Sequence, residues 1–202
     1  MIRHARPLLL VALSALLAAC ASAPMHYYTL LPPVAAGSAT AAAPIAFELL
    51  PVSVPAQVDQ PQLVVREGGQ SVALLEGHRW IAPLADEVRS ALAADLAQQL
   101  PGRNVAGLPS SEQPLLQVTL DLRRFESQPD SYALIEAAWS VRLQHGARPV
   151  AVACTSQIRE SVGPGYDALV QGHQRALAAL AVQVATAARA LAADQRASCP
   201  SG

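Results

Sequence analysis

Cys20 carries the most definite chemistry in the sequence. It closes the run Leu17-Ala18-Ala19-Cys20, a branched apolar residue and two small ones before a thiol. Small residues let the chain lie extended in a peptidase groove, and the thiol is the nucleophile that takes a diacylglyceryl group. The preceding residues fit that chemistry. Arg3 and Arg6 form a positive start, and residues 8–19 are uncharged and apolar. A spanning helix needs roughly 20 apolar residues, so this run has the length of a signal-peptide core rather than of a permanent membrane helix. The expected processing is therefore a signal peptide at residues 1–19 and a lipidated N-terminus with a short tether at 20–26. Several acyl chains on one cysteine anchor stably, whereas one chain does so only marginally. Ala21 rather than Asp follows the cysteine, which favours the outer membrane over retention at the inner one. The expected location is the periplasmic face of the outer membrane, with the lipid on Cys20 as the only attached group and no other cofactor.

Two cysteines remain, Cys154 and Cys199. An oxidising compartment invites a disulfide between them. Cys154 falls on the inward phase of a strand pattern, and Cys199 follows the helix that should cover that face. The alternative is a buried free Cys154 and a loose reduced Cys199, and sequence leaves both open. Other constellations are absent: no G-x-S-x-G, no H-E-x-x-H and no C-x-x-C occurs. Gly163-Pro164-Gly165 lacks the Lys-Ser/Thr of a phosphate loop and reads as a turn. His26, His78, His145 and His173 fall in four different elements with no ligand spacing, and His173 lies on an apolar helix stripe as a core histidine. Glu112, Glu126, Asp130 and Glu136 read as solvated surface. No catalytic residue and no metal site are expected. Arg79 and Trp80 are the candidate partner surface, because Arg and Trp favour interface centres; the competing reading has Trp80 capping the core.

These residues need elements to position them. The chain has 202 residues, 52 % of them apolar but only 4 % aromatic. It contains 41 alanines, 14 arginines and no lysine, and its net charge is −1. That composition excludes disorder throughout and offers no basic excess for nucleic acid. Tyr27 to Leu31 reads as a strand, residues 34–44 as a low-complexity loop, and Ile45 to Val54, Leu63 to Arg66 and Ser71 to Leu75 as short β runs. Leu84, Val88, Leu92, Leu96 and Leu100 mark one helical face, started by Pro83 and stopped by Pro101-Gly102. Three alternating runs follow, on Leu116 to Leu122, Ile135 to Leu143 and Val150 to Ile158, typical of antiparallel strands with one buried face. Leu169, His173, Leu177, Leu180, Val184, Ala188 and Leu191 trace a second helix. The expected fold is α/β (α+β), a mixed or mainly antiparallel sheet with two long amphipathic helices packed on it. One domain spans 27–193, and 194–202 is a tail.

Several segments together resemble the PqiC/YmbA-like ABC-type transport auxiliary lipoproteins. They are Tyr27-Tyr28-Thr29-Leu30 after the lipidation box, His78-Arg79-Trp80 with Ala82-Pro83-Leu84 at a helix start, and Leu120 to Phe125 with Ala133 to Val141. Tyr166-Asp167-Ala168-Leu169-Val170 at the head of an alanine-rich helix completes the set. The resemblance implies a non-enzymatic accessory of an MCE/ABC-type system that moves lipid or other hydrophobic compounds across the envelope. It implies an MCE-domain partner for a domain that the acyl chains on Cys20 would hold at the outer membrane; the charge balance argues against nucleic acid, and a homo-oligomer stays open. The alternative is an assembly or scaffolding lipoprotein serving another outer-membrane machine. A hydrolase is disfavoured by the missing nucleophile–base set.

Overall fold

The computed structural model describes residues 24–33, 46–100, 104–108, 114–144, 150–193 and 197–200. The expected signal peptide at 1–19, Cys20, the expected loop at 34–44, Glu112 and His145 lie outside the described residues. The strands are β1 (His26–Tyr28), β2 (Ala46–Leu49), β3 (Gln62–Gly68), β4 (Ser71–Trp80), β5 (Leu115–Gln128), β6 (Tyr132–Gln144) and β7 (Val150–Ser161). The helices are α1 (Leu84–Gln99) and α2 (Tyr166–Ala192).

The strands form two mixed sheets rather than one. In the larger, ordered β2-β5-β6-β7, the last three strands form an antiparallel meander and β2 joins β5 in parallel. In the smaller, ordered β1-β4-β3, β1 runs parallel to β4. Helix α2 lies against β6 and β7, and α1 packs against α2. Leu84, Val88, Leu92 and Leu96 of α1 and Leu177, Leu180 and Val184 of α2 are essentially inaccessible to water. By length and composition α2 could cross a bilayer, yet half of its apolar stretch is buried inside the domain.

The alternating runs became strands because alternate residues reach opposite faces of a pleated sheet. Leu116, Val118, Leu120 and Leu122 of β5 all point to the core. A register shift between Leu122 and Arg124 then inserts one extra residue. Such a bulge reverses the phase of all that follows, so Phe125 and Ser127 face inward where strict alternation would turn them out. The pair Arg123-Arg124, two polar neighbours in an alternating run, marks the place.

The expectation is corrected in three places. The β run from Ser71 continues past Leu75 to Trp80. Its register on β3 jumps from Leu63–Leu75 to Gln62–Arg79, so the sequence pattern changes phase within one strand. Among the described residues of the run from Ile45 to Val54, Ala46–Leu49 form the strand; beyond it Ser53 makes a single bridge to Asp121. The first strand ends at Tyr28, and Leu30 drops into the core.

Gly172 shows how closely α2 approaches the sheet. A Cβ placed there would lie 2.3 Å from Val162 Cγ1 and 3.0 Å from the Ala133 Cβ. No side chain fits that gap, so a residue costly in a helix interior sits there for packing.

Candidate functional site

The N-terminal end of the described domain is built on the register of β1 against β4. That register pairs His26 with His78, Tyr27 with Arg79 and Tyr28 with Trp80. The two imidazoles stack with ring centres 5.0 Å apart, and Tyr166 from the start of α2 approaches His78 at 4.4 Å. Tyr28 Oη and His78 Nδ1 share a hydrogen bond of 2.9 Å. Partial burial lowers the pKa of His78, the His26 ring lowers it further, and Asp167 opposes the shift. Burial raises the pKa of Tyr28, with Asp167 and Tyr166 adding to the shift. The histidines expected to be scattered are therefore partly brought together, because a parallel pairing of residues 52 positions apart leaves no trace in local spacing.

The chain is clamped just beyond β1. The buried Glu87 carboxylate of α1 accepts the Leu30 N–H at 2.7 Å and the Thr29 hydroxyl at 2.8 Å. From α2, Gln174 Nε2 donates to the carbonyls of Thr29 and Leu31. Both helices thus grip the three residues that follow the first strand.

Arg79 and Trp80 do not form a joint surface. Trp80 is 6 % exposed and meets Phe125 edge-on at 6.1 Å, while Arg79 points to the opposite face of β4 beside Glu76. Adjacent strand residues project to opposite sides, and the extension of β4 to residue 80 turns the indole inward. The candidate partner pair is corrected to one half-buried cation, Arg79.

The structure joins Cys154 of β7 to Cys199 by a disulfide. The bond pins the tail to the edge of the larger sheet, with Ala197 packed against the core. Cys199 and Pro200 form one rim of a shallow groove of about 750 Å³ over the sheet face, whose floor includes Thr119, Ser140 and Thr155. Thr119 and Ser140 share a hydrogen bond of 2.7 Å, and the Ser53 hydroxyl donates to Asp121 at the groove wall. The groove is open and mixed in character, with somewhat more apolar than polar surface.

Deep polar groups complete the picture. His173 is 1 % exposed, stacks on Phe125 at 3.8 Å and shares a 2.8 Å hydrogen bond between Nε2 and the buried Ser127 hydroxyl. Its Nδ1 has no partner among the described residues. Burial lowers its pKa to about 3. The hydroxyl–imidazole pair has neither a carboxylate behind the ring nor contact with solvent, so it serves packing rather than nucleophilic attack. Asp95 on the buried stripe of α1 has its pKa raised by burial to about 6.

Glu126 departs from the expected solvated surface. Burial by itself would raise its pKa, but hydrogen bonds from Arg66, Arg124 and Tyr132 and the Arg124 charge hold it down at about 2. Arg159 covers the face of the Tyr132 ring at 3.5 Å. Among the described residues no group of three or more His, Cys, Asp or Glu side chains could hold a metal ion.

The assembly is a two-sheet α+β domain whose first strand leads straight back to a short N-terminal segment. The family model for the ABC-type transport auxiliary lipoprotein component matches residues 28–185, and the chain belongs to that family. Two solved structures share the fold. One, described as an uncharacterized protein, is 24 % identical with a TM-score of 0.59, over 81 % of this chain and 98 % of that one. The other, protein XCC0632 from Xanthomonas campestris, is 18 % identical with a TM-score of 0.52, over 77 % of this chain and 90 % of that one. No curated protein sequence matches the chain.

Proposed function

We propose that the protein is an outer-membrane-anchored periplasmic lipoprotein. In this reading it is a non-enzymatic accessory of an MCE/ABC-type system that carries lipid or another hydrophobic compound across the envelope. The family match over residues 28–185 carries the reading. The lipidation box at Cys20 supports it, and so does the clamp on residues 29–31, which ties the start of the domain to both helices. Acyl chains on Cys20 hold the domain at the membrane, and the folded body meets an MCE-domain protein.

In-cell photo-crosslinking tests this reading. A photoreactive residue is placed in the full chain at exposed Thr155 in the groove, and separately at exposed Leu74 on the β3–β4 hairpin. Recovery of an MCE-domain protein is the expected outcome. Recovery only of a component of another outer-membrane machine would replace this reading with the scaffolding one. Cys20→Ala should move the protein out of the membrane fraction.

A further inference from the structure

We propose that the outer face of the β1–β4 ribbon is a second membrane contact, resting on the phospholipid headgroup layer and orienting the domain. The proposal rests on the reading that Cys20 is acylated. Its residues lie together by register. Tyr27 sits beside Arg79 on the face turned away from His78 and Trp80, and Ile81 lies two residues past Arg79, the same side of an extended chain. The Ile81 N–H donates to the Tyr28 carbonyl at 2.9 Å, which keeps it against β1. Met25 precedes Tyr27 by two residues, which is the same side of an extended chain. Met25, Tyr27 and Ile81 are 41 %, 59 % and 63 % exposed.

The composition suits a lipid surface. Tyrosine favours the headgroup level, where its ring is half wet, and apolar side chains enter the boundary below. Arg79 has a flexible stem and a fork that matches phosphate. Its side chain is half-buried and held only by long contacts, 3.7 Å to the exposed Glu76 carboxylate and 3.5 Å from Nε to the Glu76 carbonyl, which a phosphate can replace.

The tether selects this face over the other exposed apolar residues. Met25 is five residues from Cys20, which at most spans about 18 Å. Val72 and Leu74 are also exposed, but they lie at the far end of β4. Val72 is seven residues from Arg79, roughly 20 Å along the strand. A chain held at Cys20 brings Tyr27 to the headgroups before it can bring the hairpin.

The test uses the lipidated full chain reconstituted into vesicles of phosphatidylethanolamine and phosphatidylglycerol, with and without acyl chains brominated near the headgroup end. Tyr27→Trp and Val72→Trp each add one exposed indole, and the emission of the unsubstituted chain, from Trp80 and Trp139, is subtracted. Tyr27→Trp should be quenched at least twofold by the brominated lipid, while Val72→Trp is unchanged. If Tyr27→Trp is unquenched although the protein floats with the vesicles, the anchor stands and the face meets a protein instead, which overturns the proposal. If the protein does not float, the acylation reading fails and the proposal falls with it.

Discussion

The Glu87 carboxylate accepts the backbone N–H of Leu30 at 2.7 Å, across 57 positions of sequence. Leu30 is completely buried and Glu87 is 4 % exposed, so water cannot replace either partner. The acid also sits in the first turn of α1, where the helix dipole favours negative charge. Glu87→Ala should strand the Leu30 amide and the Thr29 hydroxyl, at a loss of about 2 kcal/mol. Urea unfolding of the two proteins checks this; an unchanged midpoint would show that the clamp contributes nothing. Hydrogen exchange at residues 26–31 should rise in the variant even where global stability is restored by osmolyte.

Gly172→Ala should destabilise despite alanine's better helix propensity. The propensity gain is about 1 kcal/mol. The added methyl would stand 2.3 Å from Val162 Cγ1, and such overpacking costs about 1–3 kcal/mol. Adding Val162→Ala should recover part of the loss, because it removes the nearer clash. Thermal melts of the single and double variants decide; equal melting temperatures would mean that α2 shifts freely.

The disulfide closes a separation of 45 residues. In the chain-entropy account its removal costs up to about 4 kcal/mol. Cys154→Ser together with Cys199→Ser should lower the melting temperature and expose the groove rim at residues 197–200 to protease. Titration of the denatured, unreduced protein should find neither thiol free.

Acid stability follows from His173 and Glu126. His173 stays neutral in the fold down to about pH 3, whereas the unfolded imidazole takes its proton near 6.5. Between those values the unfolded imidazole binds the proton and the folded one does not, so the His173 contribution to stability falls as pH falls, by about 1.4 kcal/mol per unit. Glu126 acts in the same direction lower down. Its folded pKa of about 2 lies below the ordinary 4.5, so its contribution is present above 4.5 and is lost on the way to 2. The pair of substitutions His173→Phe and Ser127→Ala should leave the opposite dependence of Asp95 unopposed, so that stability rises as pH falls from about 6 to 3.8, read as denaturation midpoints against pH.

Asp95 has the opposite sign. Its folded pKa of about 6 exceeds the ordinary 3.8, so its burial penalty is absent below 3.8 and complete above 6. Between those values it offsets His173, and the parent chain should show a shallow pH dependence there. Asp95→Asn should stabilise the protein at pH 7 by about 1–2 kcal/mol and reveal the steeper acid slope. A variant no more stable than the parent at pH 7 would mean that the carboxylate is better solvated than its burial suggests.

Much of the architecture was legible because periodicity is local. The leucine stripe from Leu84 to Leu100 and the alternation from Leu116 to Leu122 each report a buried face within one element, and both elements formed. The candidate site was less legible. Trp80 reads as exposed only if β4 ends at Leu75, and its inward turn depends on the irregular register against Gln62 and Leu63. His26 and His78 meet through a parallel pairing that no spacing rule encodes. Glu126 looks like one more surface acid until Arg66 arrives from another sheet.

The amino-acid sequence by itself determined what short-range chemistry can determine. A peptidase and an acyl transferase read an extended local segment, so the expected anchor at Cys20 depends on residues 1–21 alone. Helix and strand identity follow from repeats of about four and two residues. The tertiary structure alone decided what depends on contact between distant residues. It set Trp80 in the core and Arg79 on the opposite face, gave Glu87 to Leu30, sealed His173 from water, and paired Tyr27 with Arg79. Those outcomes are set by which surfaces exclude water together, and that is a property of the assembled sheets and helices rather than of any one segment.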